Sequence, residues 1–324
     1  MLRVCELLQI KYPIVQGGMG NISNAQLTAA VSEAGGLGTI GCGTMTPKEV
    51  EHIILQTKEQ TTKNFAVNIA IGVSPYTDEL IDVVIQQNIP VVSLSAGNPA
   101  PFIPKLHKHG IKVMVLVASV KHAQKAEAAG ADLLVAEGFE AAGINSHLEL
   151  TTFTLIPQIV ESVQVPVLAA GGIGDGKGLA AAFMLGASGV QMGTRLIATR
   201  EAPFHRSYKQ RLVEAEDTST VIIGRSIGRT RRVLTNPYAK RIVEQEKAGI
   251  TLEQYMDWTT EDQHIKGAIQ GDMENGFINS GLIAGLIDEI PSVEELLAGM
   301  VEEAGERIRL TAERFQGIHS QSRG

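Results

Sequence analysis

The sequence predicts an α/β chain whose main body is a (β/α)8 barrel. Three observations carry that prediction: eight strand-like segments alternating with helical ones, an aliphatic composition nearly free of aromatics, and glycines placed where helices must end. Of the 324 residues, 44% are hydrophobic but only 4% are aromatic, so Ala, Val, Ile and Leu must build the core. That balance suits parallel strands covered by helices on both faces. Eight such units joined by short loops favour a closed barrel, with an open doubly wound sheet as the alternative.

The strand segments run in order as "PIVQGG" (13–18), "LGTIGCG" (37–43), "FAVNIAI" (65–71), "VVSLSAG" (91–97), "KVMVLVAS" (112–119), "LLVAEG" (133–138), "VPVLAAGG" (165–172) and "GVQMGTRL" (189–196). Between them lie helical patterns such as "NAQLTAAVSEAG", "TDELIDVVIQQN", "HAQKAEAAG" and "KGLAAAFMLGA". Gly35, Gly110, Gly130 and Gly186 each stand just before the next strand. A helix commonly ends on a left-handed residue, and glycine takes that conformation without steric cost. After residue 200 the rhythm changes. Residues 205–270 are charged and helix-rich, with one arginine cluster, "GRSIGRTRR" (224–232), and 278–318 return to an amphipathic pattern interrupted at Pro291. The expected division is a barrel formed by 1–204 and 271–324, with a small helix-rich lid subdomain, 205–270, inserted after the eighth strand.

Acidic residues number 35 against 28 basic ones, a net charge of −7. That sign argues against a nucleic-acid partner, whose binding face would be basic. The two cysteines, Cys5 and Cys42, are too few for a disulfide framework or a multi-cysteine metal site. They read as small core residues. The N-terminus does not resemble a signal peptide, and no apolar run reaches the ~20 residues of a membrane span. The expectation is a cytoplasmic protein with no metal and no membrane partner.

Barrel sites lie at the C-terminal strand ends, and the loops after strands seven and eight often hold a phosphate. The stretch "VLAAGGIGDGKG" (167–178) puts five glycines at the end of the seventh strand, a density that weakens the strand and costs chain entropy. Gly171 and Gly172 there can turn bare backbone N–H groups toward an anion. At the end of the eighth, Gln191 and Met192 precede Gly193 and Thr194, which add an N–H and a hydroxyl at the same face. This is neither a Walker A loop nor a dinucleotide fingerprint, since it lacks the Lys–Ser ending and does not follow the first strand. A phosphate-bearing cofactor bound barrel-fashion fits better. The first strand ends in Gln16, Gly17, Gly18 and Met19, where paired glycines let a flat ring lie against backbone and a thioether offers a soft apolar contact. Asn68 ends the third strand and can either hydrogen-bond a heteroaromatic edge or serve as a buried structural amide.

Taken together, "PIVQGGMG", "AGGLGTIG", "FAVNIAI", "VAEGFEAAG", "LTTFTLIPQI", "VPVLAAGGIGDGKGLAAAFMLGASGVQMGTRLIAT" and "SGLIAGLI" resemble the nitronate monooxygenase family. This group was formerly called the 2-nitropropane dioxygenases and includes the FMN-dependent enoyl-ACP reductase II branch. The resemblance spans nearly the whole chain and is weakest between 205 and 270. It implies an FMN-bearing TIM barrel with an inserted lid. By position, Gly171, Gly172, Gly193 and Thr194 match the FMN phosphate site. Gln16, Gly17, Gly18, Met19 and Asn68 match the flavin-ring and ribityl contacts, and Gln191 and Met192 fall in the matching strand-eight motif. Glu137, at the end of the sixth strand, can hydrogen-bond flavin or substrate, or be an ion-paired structural residue.

One motif departs from the family. Many relatives read "EAGGH" after the sixth strand, with a histidine that acts as base or proton donor, whereas this chain reads "EGFEAAGINSHLELTT". Gly143 matches the second glycine of the pair, so the histidine position is Ile144. Either His147 substitutes from a displaced loop position or the site works without an imidazole; Asn145 and Ser146 can help orient a substrate. An alkyl nitronate is already an anion and needs no base, whereas a neutral nitroalkane or an enoyl thioester needs a proton moved. The sequence therefore favours an FMN-dependent oxidoreductase that oxidises alkyl nitronates with O2. The alternatives are an NAD(P)H-dependent enoyl-ACP reductase of fatty-acid synthesis and a flavin-binding barrel with little turnover. Arg225, Arg229, Arg231 and Arg232 suit either a nicotinamide phosphate or acidic carrier, or a solvated lid face. His264 and Asp272 flank the return to the barrel without metal-ligand spacing. The sequence leaves the oligomeric state open, a homodimer included.

Overall fold

The protein is described by a computed structural model covering residues 2–321. Eight parallel strands form the central sheet: β1 (Ile14–Gln16), β2 (Gly38–Gly41), β3 (Phe65–Ala70), β4 (Val91–Ser95), β5 (Lys112–Val117), β6 (Leu133–Glu137), β8 (Val167–Ala170) and β9 (Gly189–Met192). Each falls inside one predicted segment. The intervening β7 (Gly143–Ile144) belongs to a different sheet. Strand order is β1-β9-β8-β6-β5-β4-β3-β2. The ring is completed by a single parallel bridge between Val15 and Leu37. There the Leu37 N–H donates to the Ile14 carbonyl at 3.0 Å, and the Gln16 N–H donates to the Leu37 carbonyl at 2.9 Å. The architecture is the expected (β/α)8 barrel.

Side chains alternate across these strands and make two apolar layers. Inward-facing Val15, Leu37, Ala66, Val91, Met114, Leu133, Val135, Leu168 and Ala170 fill the barrel interior. Val4, Cys5 and Leu8 of the Arg3–Leu8 helix close its N-terminal end. Outward-facing residues meet the helices in a larger core that includes Cys42. Both cysteines are buried and free, as expected. The four predicted helix-ending glycines, Gly35, Gly110, Gly130 and Gly186, all take φ between 73° and 100°.

The 205–270 segment carries four helices, Arg206–Val213, Pro237–Lys247, Leu252–Trp258 and Glu261–Ala268. It also carries two strands that its charged sequence did not reveal, β10 (Thr220–Ile223) and β11 (Arg231–Leu234). These pair antiparallel, and β11 pairs onward with β7, so the loop after β6 is stitched to this segment. A separate cluster of Ile223, Val233, Tyr238, Ala239, Ile242, Ile250, Tyr255 and Phe277 lies beneath this sheet. Tyr208 and Leu212, on the first of the four helices, belong instead to the main core. The last helix, Val293–Gln321, packs against Gly176–Met184. Among the described residues no helix is long and apolar enough to cross a membrane.

Candidate active site

The barrel is plugged with apolar side chains at one end and hollow at the other. A cavity of about 1110 Å³ opens at the C-terminal strand ends and is also lined by Tyr208, Arg231, Glu261 and His264 of the 205–270 segment. The exits of β1, β3, β6, β8 and β9 contribute Gly17, Gly18, Met19, Asn68, Glu137, Gly171, Gly172, Gln191, Met192, Gly193 and Thr194 to its wall. The β6–β7 loop adds Ile144, Asn145 and His147. The chain thus brings together every sequence-predicted site residue but one.

The exception is Gln16. Its side chain is fully buried, its amide donates to the Thr39 carbonyl at 3.1 Å, and its Oε1 lies 3.4 Å from the Thr39 N–H. The amide therefore acts as an extra rung at the seam between β1 and β2, where the ladder has only one bridge.

The glycines divide into two groups. Gly171 and Gly172 leave β8 with φ of 95° and 74°, a turn that side chains resist. A Cβ on Gly18 would sit 2.7 Å from Cβ of Asn68, so the missing side chain makes room for that amide. The Asn68 Nδ2 is anchored to Ser93 and Ser95 at 3.2 Å. Gly193 differs, with an ordinary φ of −120° and nothing within 4 Å of where its Cβ would be. No protein atom accounts for a glycine there, and the open space is the cavity itself. By contrast Gly174 and Gly176 face protein: a Cβ on the first would strike Ile283, and one on the second would strike the Val293–Gln321 helix at Met300 and Glu303. Part of the glycine density in 167–178 therefore serves close packing rather than a ligand.

Two cavity-facing polar side chains lack protein partners. Neither the Gln191 amide nor the Glu137 carboxyl makes a hydrogen bond to another described residue. Burial pushes the Glu137 carboxyl up to about 7, so near neutrality it is partly protonated and able to donate. The Thr194 hydroxyl accepts from the Gly281 N–H at 2.9 Å, which leaves its proton available.

The loop residues behave differently from one another. Ile144 is 55% exposed and lines the cavity. Asn145 is buried, its amide donating to the carbonyls of Ala141 and Gly143. His147 is exposed at the cavity wall and has no hydrogen-bond or ion-pair partner among the described residues.

The 205–270 segment and the chain returning from it contribute residues that the sequence did not single out as a group. Arg231, Glu261 and His264 of the segment, and Asn279 just after it, all line the cavity. Only part of the arginine cluster is solvated: Arg225 is exposed and pairs with Glu149 at 2.8 Å. Arg231 and Arg232, on β11, are buried. Arg232 spans Phe139 and donates to its carbonyl, while Arg231 lies 5.0 Å over the Phe277 ring. Asp272 only caps a turn, accepting from the N–H groups of Glu274 and Asn275. Among the described residues no His, Cys, Asp and Glu cluster suits a metal. A readable signal for the lid site was the i, i+3 spacing of Glu261 and His264, which puts both on one helix face.

The chain is similar to known proteins over most of its length. The family profile described as nitronate monooxygenase matches residues 2–79 and 71–303. A (3aS,4S,5R,7aS)-5-hydroxy-7a-methyl-1-oxo-octahydro-1H-indene-4-carboxyl-CoA dehydrogenase of Rhodococcus jostii is 31% identical, over 94% of this chain and 95% of its own length. A protein of Staphylococcus saprophyticus named a probable nitronate monooxygenase is 33% identical, over 75% of this chain and 81% of its own. The structure of FabK from Thermotoga maritima superposes with a TM-score of 0.89 at 42% identity, covering 98% of this chain and 99% of FabK. The chain belongs to the nitronate monooxygenase family of oxidoreductases.

Proposed function

We propose that this chain is an FMN-dependent oxidoreductase that oxidises alkyl nitronates with molecular oxygen. The observation that carries the choice of substrate is Ile144, an apolar side chain in the cavity at the position where the family pattern calls for an imidazole. A nitronate arrives already ionised and needs no proton removed there.

The residues present fit the cofactor. Gly193 leaves an open pocket beside the first N–H groups of the Thr194–Ile197 helix, which have no partner within that helix. With the Thr194 hydroxyl and the Gly171–Gly172 turn, it would hold the phosphate. Gly17, Gly18 and Met19 would lie along the ring, with Asn68 and Gln191 offering amides to its polar edge. Glu137 would hydrogen-bond flavin or substrate. Bound FMN supplies the electron acceptor that oxygen then recycles. The chain's own part is to hold ring and nitronate together, with Asn145 keeping the β6–β7 loop folded against the cavity, and to limit access by water.

A second reading, reduction of an enoyl thioester with NAD(P)H, is favoured by the Rhodococcus jostii relative, whose name specifies a carboxyl-CoA substrate. Oxygen uptake separates the two. With FMN-loaded protein, propyl-2-nitronate should drive oxygen consumption without any nicotinamide. NAD(P)H oxidation that depends on crotonyl-CoA, with no response to the nitronate, would transfer the assignment to the thioester reading.

A further inference from the structure

The lid wall of the cavity holds a carboxylate, an imidazole, an amide and a guanidinium in sequence. Glu261 opens the Glu261–Ala268 helix and His264 follows one turn later. The helix is drawn against the returning chain at Gly267, whose missing Cβ makes way for the Phe277 carbonyl. That approach lays the His264 ring flat on Phe277, with centroids 5.2 Å apart and planes 6° from parallel. His264 is only 2% exposed. Its Nδ1 and the Glu261 Oε2 are buried, have no hydrogen-bond partner, and face each other at 3.7 Å. On the other side of the ring, Nε2 lies 3.3 Å from the Asn279 Nδ2.

The network sets the tautomer. Arg231 Nη1 approaches the Asn279 Oδ1 at 3.5 Å, which turns the amide nitrogen toward His264. Nε2 must then accept, and the imidazole proton sits on Nδ1, toward Glu261. Burial works against charge on Glu261, but the neighbouring His264, with Arg231 and the backbone of Asn21, outweighs it and holds the carboxyl below its ordinary value. Arg231 has no carboxylate within ion-pair distance among the described residues and is 7% exposed. A buried guanidinium that makes no direct ion pair, beside an imidazole lone pair, suits a small carbon acid whose charge develops on oxygen.

We infer that His264 is a proton acceptor of this cavity, oriented by Glu261 and assisted by Arg231, so that neutral nitroalkanes are substrates as well as nitronates. The inference rests on the nitronate reading and extends it. In the step, the Cα–H bond of the nitroalkane breaks and its electron pair moves into the nitro group, giving the nitronate. The proton passes to Nε2, displacing the long contact with Asn279. The resulting imidazolium keeps its Nδ1–H toward Glu261, and the nitronate oxygens gain Arg231 as their cation. His264 thereby supplies from the lid what Ile144 withholds from the β6–β7 loop. Glu261 is a positioning residue.

Exchange of the α-protons of nitroethane in D2O, followed by proton NMR under anaerobic conditions on the FMN-loaded protein, isolates this step from oxidation. Wild type should accelerate exchange, and His264→Asn should lose about 100-fold of that acceleration, within the range of a positioned base. Glu261→Gln should lower the exchange rate at saturating nitroethane without raising the concentration needed to saturate. It also carries the test should His264→Asn fail to fold. Histidine 15N NMR of wild type, assigned by the resonances missing in His264→Asn or shifted in Glu261→Gln, should show the neutral ring protonated on Nδ1. Undiminished exchange in both variants, or the proton on Nε2, would overturn the inference. So would loss of exchange in His147→Ala with exchange retained in His264→Asn. Wild type that consumes oxygen with propyl-2-nitronate yet exchanges no nitroethane protons would refute it while leaving the nitronate reading standing; no response to the nitronate would remove that reading itself.

Discussion

The barrel rim and the lid wall enclose one cavity but are built from opposite materials. The rim is largely backbone and glycine: Gly17, Gly18, Gly171, Gly172 and Gly193 at the ends of β1, β8 and β9. The lid wall is side chain: Arg231, Glu261, His264 and Asn279, brought together across nearly 50 residues of chain. Backbone donors suit a phosphate or a flat ring common to many reactions, while placed side chains discriminate among substrates. On the proposed reading, the difference separates cofactor from specificity within a single cavity.

Gly193 offers the sharpest way to break this division. Its φ suits any residue and a Cβ there meets no protein atom, so Gly193→Val should fold normally. The side chain would enter the space assigned to phosphate, and a fluorescence titration should find FMN affinity reduced by about 100-fold or more, some 2.7 kcal/mol. Unchanged affinity would remove the rim from the cofactor site. Next in size is Gln16→Ala, which probes a rim residue that faces the seam instead. Losing the buried bonds to Thr39 should cost about 1–3 kcal/mol in chemical denaturation.

Glu137 sharpens the comparison through pH. Its folded value of about 7 lies above the ordinary 4.5, so the folded protein binds the extra proton between those limits. Stability contributed by that proton is present below about 4.5 and lost as pH rises toward 7. Glu137→Gln should flatten this part of the stability profile in flavin-free protein, measured by melting temperature across the window. The smallest effect belongs to the lid's outer face. Arg225 is exposed and pairs with Glu149, so Arg225→Ala should change stability by no more than about 1 kcal/mol in a thermal melt.

Legibility followed the same boundary. All eight barrel strands and the helix-ending glycines were readable, because apolar runs and left-handed turns are local signals. Rim residues were readable because they sit at strand ends, in adjacent positions of one motif. Gln16 shared that motif, but its side chain points to the β1–β2 seam, which requires knowing where the ring closes. Gly174 and Gly176 share the glycine-rich stretch with Gly171 and Gly172, but the first makes room for Ile283 and the second for the Val293–Gln321 helix, partners more than a hundred residues later in the chain. The lid site was hidden for the same reason. His264 acquires meaning only from Phe277 beneath it, Asn279 beside it and Arg231 on β11, and charge clusters in a sequence do not distinguish a buried arginine from a solvated one. The pairing of β7 with β11 was equally non-local: two residues of a loop give no periodicity to read.

The visible absorption spectrum of the purified protein, recorded before and after anaerobic addition of propyl-2-nitronate, reads cofactor and reaction together. An oxidised-flavin spectrum that is bleached by the nitronate and restored by admitting oxygen is expected. A bound flavin indifferent to the nitronate would contradict the proposed reaction, and protein that takes up no FMN at all would contradict the cofactor site at the barrel rim.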